Sequence, residues 1–327
     1  MSWVDSDLAE CLMLENSGEP DTINCTARTV KRPVIGMSWN FNARTDYAPI
    51  IARALRDTGA TLLKIEVDPE DISNDLLKKE ISELIPALRE KFPMGISSIP
   101  AEILRKAQDD SQIGKIRLKT SSSLRYCSGL AIPGGSDLQP EFYEAERDPH
   151  SDLVLDYRRS IVEFALLFWS EQFQLPTMGT CRGAQLINVY FGGTLKQHVE
   201  NQCVPDLQYI HLSDSSRKEE FCTYFGSDLF PSVSMHHQAI DKVGENLEVI
   251  CEYDTIPKLL ISPDNQYIAS QIHPEVFARI DQLPEQMKPA ERGKLIYELF
   301  FNKVLEFHFD RSSSTKNSIK KISAILL

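Results

Sequence analysis

The chain has 327 residues, 42% of them hydrophobic and 25% charged, with 35 basic side chains against 47 acidic ones. It is long enough for a full buried core in one large domain or two small ones. The net charge of −12 disfavours nucleic acid or an anionic membrane as main ligand, because phosphate contacts need clustered Lys and Arg.

The N-terminal stretch "MSWVDSDLAECLMLENSGEP" is acidic and lacks the basic and apolar regions of a signal peptide. Residues 1–31 show no sustained period and are expected to form a loosely ordered extension. Seven cysteines lie scattered, without a CxxC pair, which fits a reducing compartment. No apolar run is long enough to span a bilayer. A soluble, cytoplasmic protein is the expectation.

"RPVIGMSW" from Arg32 reads as a buried strand. "YAPIIARALRDTG" follows as a helix stopped by Gly59, and "ATLLKIEV" as a second strand. Strand–helix–strand order predicts a parallel sheet with crossover helices. Residues 67–123 then change character. "DISNDLLKKEISELIPALREKF" reads as an amphipathic helix interrupted by Pro86, "SIPAEILRKAQDD" as a shorter helix and "KTSSSLR" as a loop. This is read as an inserted helical segment, either a surface decoration or a lid or partner-binding element.

The alternation resumes with "SGLAIPGG", a strand ending in a glycine pair, and with the helical "SDLVLDYRRSIVEFALLFWSEQ". "LPTMGT" is a strand and "CRGAQLINVYF" a helix. "VSMHHQAI" and "LEVICEY" supply further strands, "NQYIASQIHPE" a strand running into a loop, and "ERGKLIYELFFNKVLEFHF" a final helix. The polar, then basic and apolar, tail 311–327 is expected to be disordered, the alternative being a weak docking or membrane-surface helix. The domain reading is therefore 32–310, with an extension before it and a tail after it.

Gly179-Thr180-Cys181-Arg182-Gly183 has the form of a nucleophile elbow, with cysteine where hydrolases of another fold carry serine. Small residues two before and two after the nucleophile let helix and strand close up, exposing the sulfur at the carboxyl edge of the sheet. At a helix N-terminus, backbone N–H groups and the helix dipole favour thiolate over thiol. The Arg182 N–H can also face an oxyanion. The alternative is a buried structural cysteine in a glycine turn.

A cysteine nucleophile needs a base and an orienting group. In "SQIHPE", His273 and Glu275 are two apart and on an extended chain project to one side, unless they merely mark a surface strand end. In "IPGGSD", Gly134 and Gly135 let backbone approach a substrate, with the Gly135 N–H as second oxyanion donor, or form a plain tight turn. Of the adjacent His236 and His237, strand alternation allows one to face the site, and His237 is placed at the substrate edge. A metal site there lacks a carboxylate or thiol at ligand spacing. Gln185, one helical turn after Cys181, is a further substrate contact or an ordinary exposed helix residue.

With these residues placed, the sequence resembles the class I glutamine amidotransferase fold, and within it the gamma-glutamyl hydrolases, including those acting on gamma-glutamyl-GABA. The matching pieces are "RPVIGMSW", "GLAIPGGSDLQP", "PTMGTCRGAQLINVYFGGTLKQH", "SMHHQAI" and "SQIHPE", in the family's order. The resemblance implies a flavodoxin-like α/β sandwich with a mostly parallel central sheet. It implies a triad at Cys181, His273 and Glu275, and oxyanion donors at Gly135 and Arg182. Gln185 would lie by the glutamyl group, and no metal or cofactor would be needed. The expected activity is hydrolysis of gamma-glutamyl amides through a thioester, on a small molecule or a glutamylated protein. Two alternatives stay open: a glutaminase subunit feeding ammonia to a separate synthase, and a silent protein that binds a partner through residues 67–123.

Overall fold

A computed structural model describes residues 22–25, 28–38, 48–65, 72–92, 96–149, 156–199, 206–275 and 292–325. The expected N-terminal extension lies mostly outside these residues. Its described part is not shapeless: β1 (Thr22–Cys25) and β2 (Arg28–Lys31) pair as an antiparallel hairpin.

The alternating pattern builds a nine-stranded sheet. Its parallel part comprises β3 (Val34–Ser38), β4 (Thr61–Ile65), β5 (Gly129–Ile132), β6 (Thr177–Thr180) and β13 (Tyr267–Ser270), in spatial order β4-β3-β5-β6-β13. Antiparallel strands continue it in the order β12 (Ile256–Ile261), β11 (Glu248–Tyr253), β8 (Asp206–Leu212), β9 (Leu229–Ser234). Five of nine strands are thus parallel, in the expected α/β architecture. A separate antiparallel pair joins β7 (Leu195–Lys196) to β10 (Ala239–Ile240).

Both faces of the sheet are covered, so its strands read as nearly continuous apolar runs. Period-2 geometry divides them between two cores. Leu130, Ile132 and Ala269 face a core built with α2 (Asn74–Lys91), α3 (Ile99–Lys106), α4 (Gln112–Leu124), α5 (Tyr157–Phe173) and α6 (Arg182–Tyr190). Ala131, Met178 and Ile268 face the other, built with α1 (Ala48–Asp57), α7 (Lys218–Phe225) and the start of α8 (Leu295–Ile325).

Four expectations are corrected. Pro86 does not interrupt its helix: α2 runs through it, capped by the Ser73 hydroxyl, because Leu77, Ile81, Ile85 and Leu88 bury one face across the proline. "KTSSSLR" is not a loop: α4 continues to Leu124, with Ile113, Ile116, Thr120 and Leu124 buried at helical spacing. There the Thr120 hydroxyl donates back to the Ile116 carbonyl at 2.9 Å, so a polar side chain is satisfied within the helix. Segment 67–123 is no surface decoration over its described part, since Ile81, Ile103, Leu104, Ile113 and Ile116 share one core with α5 and α6. The tail is helical rather than disordered up to Ile325. No described helix is long and apolar enough to cross a membrane.

Candidate active site

The register between neighbouring strands aligns three carboxyl ends. Ile132 stands opposite Gly179, and Thr180 opposite Ser270, so β5, β6 and β13 finish side by side. The chain leaves β6 through Cys181 and enters α6 at Arg182 at once. Cys181 adopts φ 53°, ψ −109°, a region costing a non-glycine residue about 1–3 kcal/mol. Packing over-determines it: the Cys181 N–H donates to the Ser270 carbonyl at 2.7 Å, and the Cys181 carbonyl accepts from the Gln185 N–H at 3.1 Å. Glycine is required on both sides. A Cβ at Gly179 would run into the Gly183 carbonyl, and one at Gly183 into the Ile132 carbonyl. Cys181 is 7% exposed and its Sγ lies 3.8 Å from the Met235 carbonyl oxygen.

The segment after β13 brings His273 to this sulfur. The His273 N–H donates to the Val233 carbonyl at 2.9 Å, and its Nδ1 lies 2.7 Å from Glu275 Oε1. The ring stands near enough to the Cys181 sulfur for that sulfur to help hold up its pKa. Glu275 Oε2 accepts from the Tyr297 hydroxyl at 2.9 Å. Both His273 and Glu275 are fully buried. Burial works against the imidazolium, but the Glu275 carboxylate and the Cys181 sulfur outweigh it and hold the His273 pKa well above its ordinary value. Glu275 sits on a short 3₁₀ turn, not on the extended chain expected from sequence. The turn still joins the two side chains.

Burial pushes the Cys127 thiol up to about 12 and raises the Cys251 thiol further. Neither stands at a strand-to-helix turn.

The glycine pair after β5 lies beside the elbow. The Gly134 carbonyl accepts from Arg159 Nη2 at 2.7 Å, and a Cβ at Gly135 would collide with the same guanidinium. Gln185 is not exposed: its Nε2 donates to the Gln238 carbonyl at 2.9 Å and to Gln271 Oε1 at 3.2 Å. Its described partners are protein groups, and it braces the floor of the site.

"VSMHHQAI" is not one strand. β9 stops at Ser234, and Met235–Gln238 form a turn before β10, so alternation does not govern the two histidines. His237 Nε2 stands 3.1 Å from Asp137 Oδ2, with its ring against His198. His236 is buried between the Gln238 carbonyl, 2.8 Å from Nδ1, and the Lys258 ammonium, 2.8 Å from Nε2. A carbonyl only accepts, so Nδ1 carries the proton and Nε2 is the acceptor. Burial and then the Lys258 charge lower the His236 pKa to about 3. Gln238 clamps the loop after the glycine pair by accepting from the Leu138 N–H at 3.0 Å and donating to the Leu138 carbonyl at 3.2 Å.

Sequence reasoning missed Arg159, Glu163, Gln238, Lys258, Gln271 and Tyr297. Only the Arg159/Glu163 spacing of four on a helix was a readable signal. Among the described residues no group of three or more His, Cys, Asp or Glu side chains is placed to hold a metal ion.

The Peptidase C26 family model matches residues 117–275. A Schizosaccharomyces pombe protein named as a candidate glutamine amidotransferase is 27% identical over 197 residues, covering 58% of this chain and 74% of that one. A Mycobacterium tuberculosis protein named likewise is 34% identical over 163 residues, covering 45% and 50%. The gamma-glutamyl-CDP-amidate hydrolase of Campylobacter jejuni is 32% identical over 122 residues, covering 37% and 48%. Among solved structures, a glutamine amidotransferase from Methylobacillus flagellatus aligns with 83% of this chain and 95% of its own, at TM-score 0.46 and 13% identity. The family match spans the cysteine elbow and the His273–Glu275 turn, and over that stretch the chain is similar to Peptidase C26 and glutamine amidotransferase-like proteins.

Proposed function

We propose that the protein is a cysteine hydrolase that cleaves gamma-glutamyl amide bonds through a glutamyl thioester. The observation that carries this reading is the buried Glu275–His273 pair set near a cysteine on a strained elbow. The similarity to the Campylobacter jejuni hydrolase supports the gamma-glutamyl substrate class.

Cys181 Sγ attacks the side-chain carbonyl carbon, and the carbonyl electron pair moves to oxygen. The N–H groups of Arg182 and Gly135 receive that oxyanion. Each such donor is typically worth about 3 kcal/mol in the transition state. Arg182 is the first residue of α6, where a backbone N–H has no carbonyl one turn back to bond. The raised pKa of His273 keeps a proton available for the leaving amine. The C–N bond breaks, the amine departs protonated and the thioester remains. Water then attacks the thioester, His273 takes its proton, and C–S cleavage releases glutamate and restores the sulfur. Glu275 fixes the ring and its tautomer, and Tyr297 steadies Glu275. Gly134 and His237 stand at the substrate edge in this reading, and the substrate is a small molecule or a glutamylated protein.

The test is glutamate release from a panel of gamma-glutamyl amides, with mass spectrometry of the intact chain watching for a glutamyl adduct on Cys181. Turnover without the adduct, or equal turnover by Cys181→Ala, removes the mechanism. A second reading, a glutaminase that feeds ammonia to a separate synthase, is favoured by similarity to the Dictyostelium discoideum glutamine-hydrolysing GMP synthase. That match is 25% identical and covers 22% of that protein. Glutamine hydrolysis that rises sharply when a copurifying partner is added would select it.

A further inference from the structure

Glu163 lies in the second turn of α5, fully buried, and has no place in the chemistry above. One carboxylate oxygen accepts from the Ser38 hydroxyl at 2.9 Å and from Arg159 Nε at 3.0 Å, and the other accepts from Arg182 Nη1. Burial pushes its pKa up, but the two guanidinium groups overcome this and keep it below the ordinary carboxylate value. The carboxylate is therefore charged.

Each guanidinium continues to a different wall of the site. Arg182 Nη2 donates to the Ser160 hydroxyl at 2.8 Å, which donates to Gln139 Oε1 at 2.6 Å. The Arg182 side chain thus anchors the residue whose backbone N–H follows the nucleophile. Arg159 Nη2 donates to the Gly134 carbonyl at 2.7 Å. In a planar trans peptide the N–H points opposite to the C=O. With the Gly134 carbonyl turned to Arg159, the Gly135 N–H faces the other way. A single carboxylate thereby fastens, through two rigid forks, the peptide units on both sides of the oxyanion position.

We propose that Glu163 is a positioning residue of the oxyanion site, holding the Arg182 and Gly135 N–H groups at a fixed separation through Arg182 and Arg159. The inference rests on the hydrolase reading, in which those two N–H groups receive the oxyanion. Geometry of this kind acts on the transition state more than on ground-state binding or on thiol reactivity, since donors must meet the oxygen where charge develops.

The experiment uses the full chain as wild type, Cys181→Ala, Glu163→Gln and Arg159→Lys. It measures kcat and KM on a gamma-glutamyl amide and the rate of Cys181 alkylation by iodoacetamide. Glu163→Gln keeps the shape and loses the charge. It is expected to lower kcat about 10- to 100-fold, with KM within about threefold and alkylation within about twofold of wild type. Arg159→Lys keeps a charge near Glu163 but loses the fork to the Gly134 carbonyl, and is expected to lower kcat about tenfold. It carries the test by itself if Glu163→Gln does not fold. Unchanged kcat in a folded variant overturns the inference. So does a fall in alkylation parallel to kcat, which marks general loosening of the elbow. Failure of the wild type itself to turn over any gamma-glutamyl amide removes the hydrolase reading, and the inference with it.

Discussion

Two histidines, His273 and His236, are buried within one small region, and their protonation runs in opposite directions. Burial penalises the charged form of both. His273 meets a carboxylate and a sulfur, and its pKa rises well above 6.5. His236 meets a carbonyl and the Lys258 ammonium, and its pKa falls to about 3. Depth alone therefore does not set the charge of an imidazole: burial lowers the pKa of both, and the neighbours reverse that at His273 and reinforce it at His236.

The comparison breaks most severely at the sulfur. Cys181→Ala is expected to lower glutamate release at least about 10⁴-fold, measured under single-turnover conditions. Glu275→Gln removes the carboxylate that outweighs burial at His273. A fall in kcat of about 10²- to 10⁴-fold is expected, with the basic limb of the pH–rate profile moved to lower pH as the His273 pKa drops. An unmoved limb would show that Glu275 does not govern that proton.

Stability separates the two histidines by sign. His273 has a raised folded pKa, so its contribution is full below the unfolded value of about 6.5 and is lost as pH rises through the folded value. His236 has a lowered one, so its contribution is full above about 6.5 and is lost as pH falls toward about 3. Lys258→Met removes one depressing charge and leaves the His236 acceptor without this donor. The expected outcome is about 1–3 kcal/mol of destabilisation at pH 7, with a shallower loss of stability between pH 6.5 and 4 than wild type. Urea midpoints across that range check it. Equal slopes would mean that burial alone depresses His236. The smallest effect is at the outer end of the His273 chain of contacts. Tyr297→Phe removes one hydrogen bond to Glu275, and is expected to cost about 1 kcal/mol of stability and no more than about tenfold in kcat.

The elbow was legible because its constraint is local. A tight turn with backbone contact on both sides demands Gly179 and Gly183, and the demand shows in five consecutive letters. The strands were legible because apolar runs with glycine or proline ends leave few alternatives. The errors share a different cause. Pro86 and the serines of α4 are weak helix residues by propensity, and burial of one face against α5 and α6 overrode them. His236 and His237 look equivalent on a strand, but a turn sends one to Lys258 and the other to Asp137. The Glu163 cluster draws on β3, α5 and α6, and its members are up to 144 positions apart in sequence, from Ser38 to Arg182.

From the sequence by itself came the α/β alternation, the cysteine elbow and the His-Pro-Glu segment, since each is written in neighbouring residues under short-range steric rules. The tertiary structure decided what those residues meet: which histidine lies near the sulfur, which is locked by a lysine, and which carboxylate ties both walls of the site together. Such choices depend on long-range contact and on the charge of groups brought close by folding, and neither is visible along the chain.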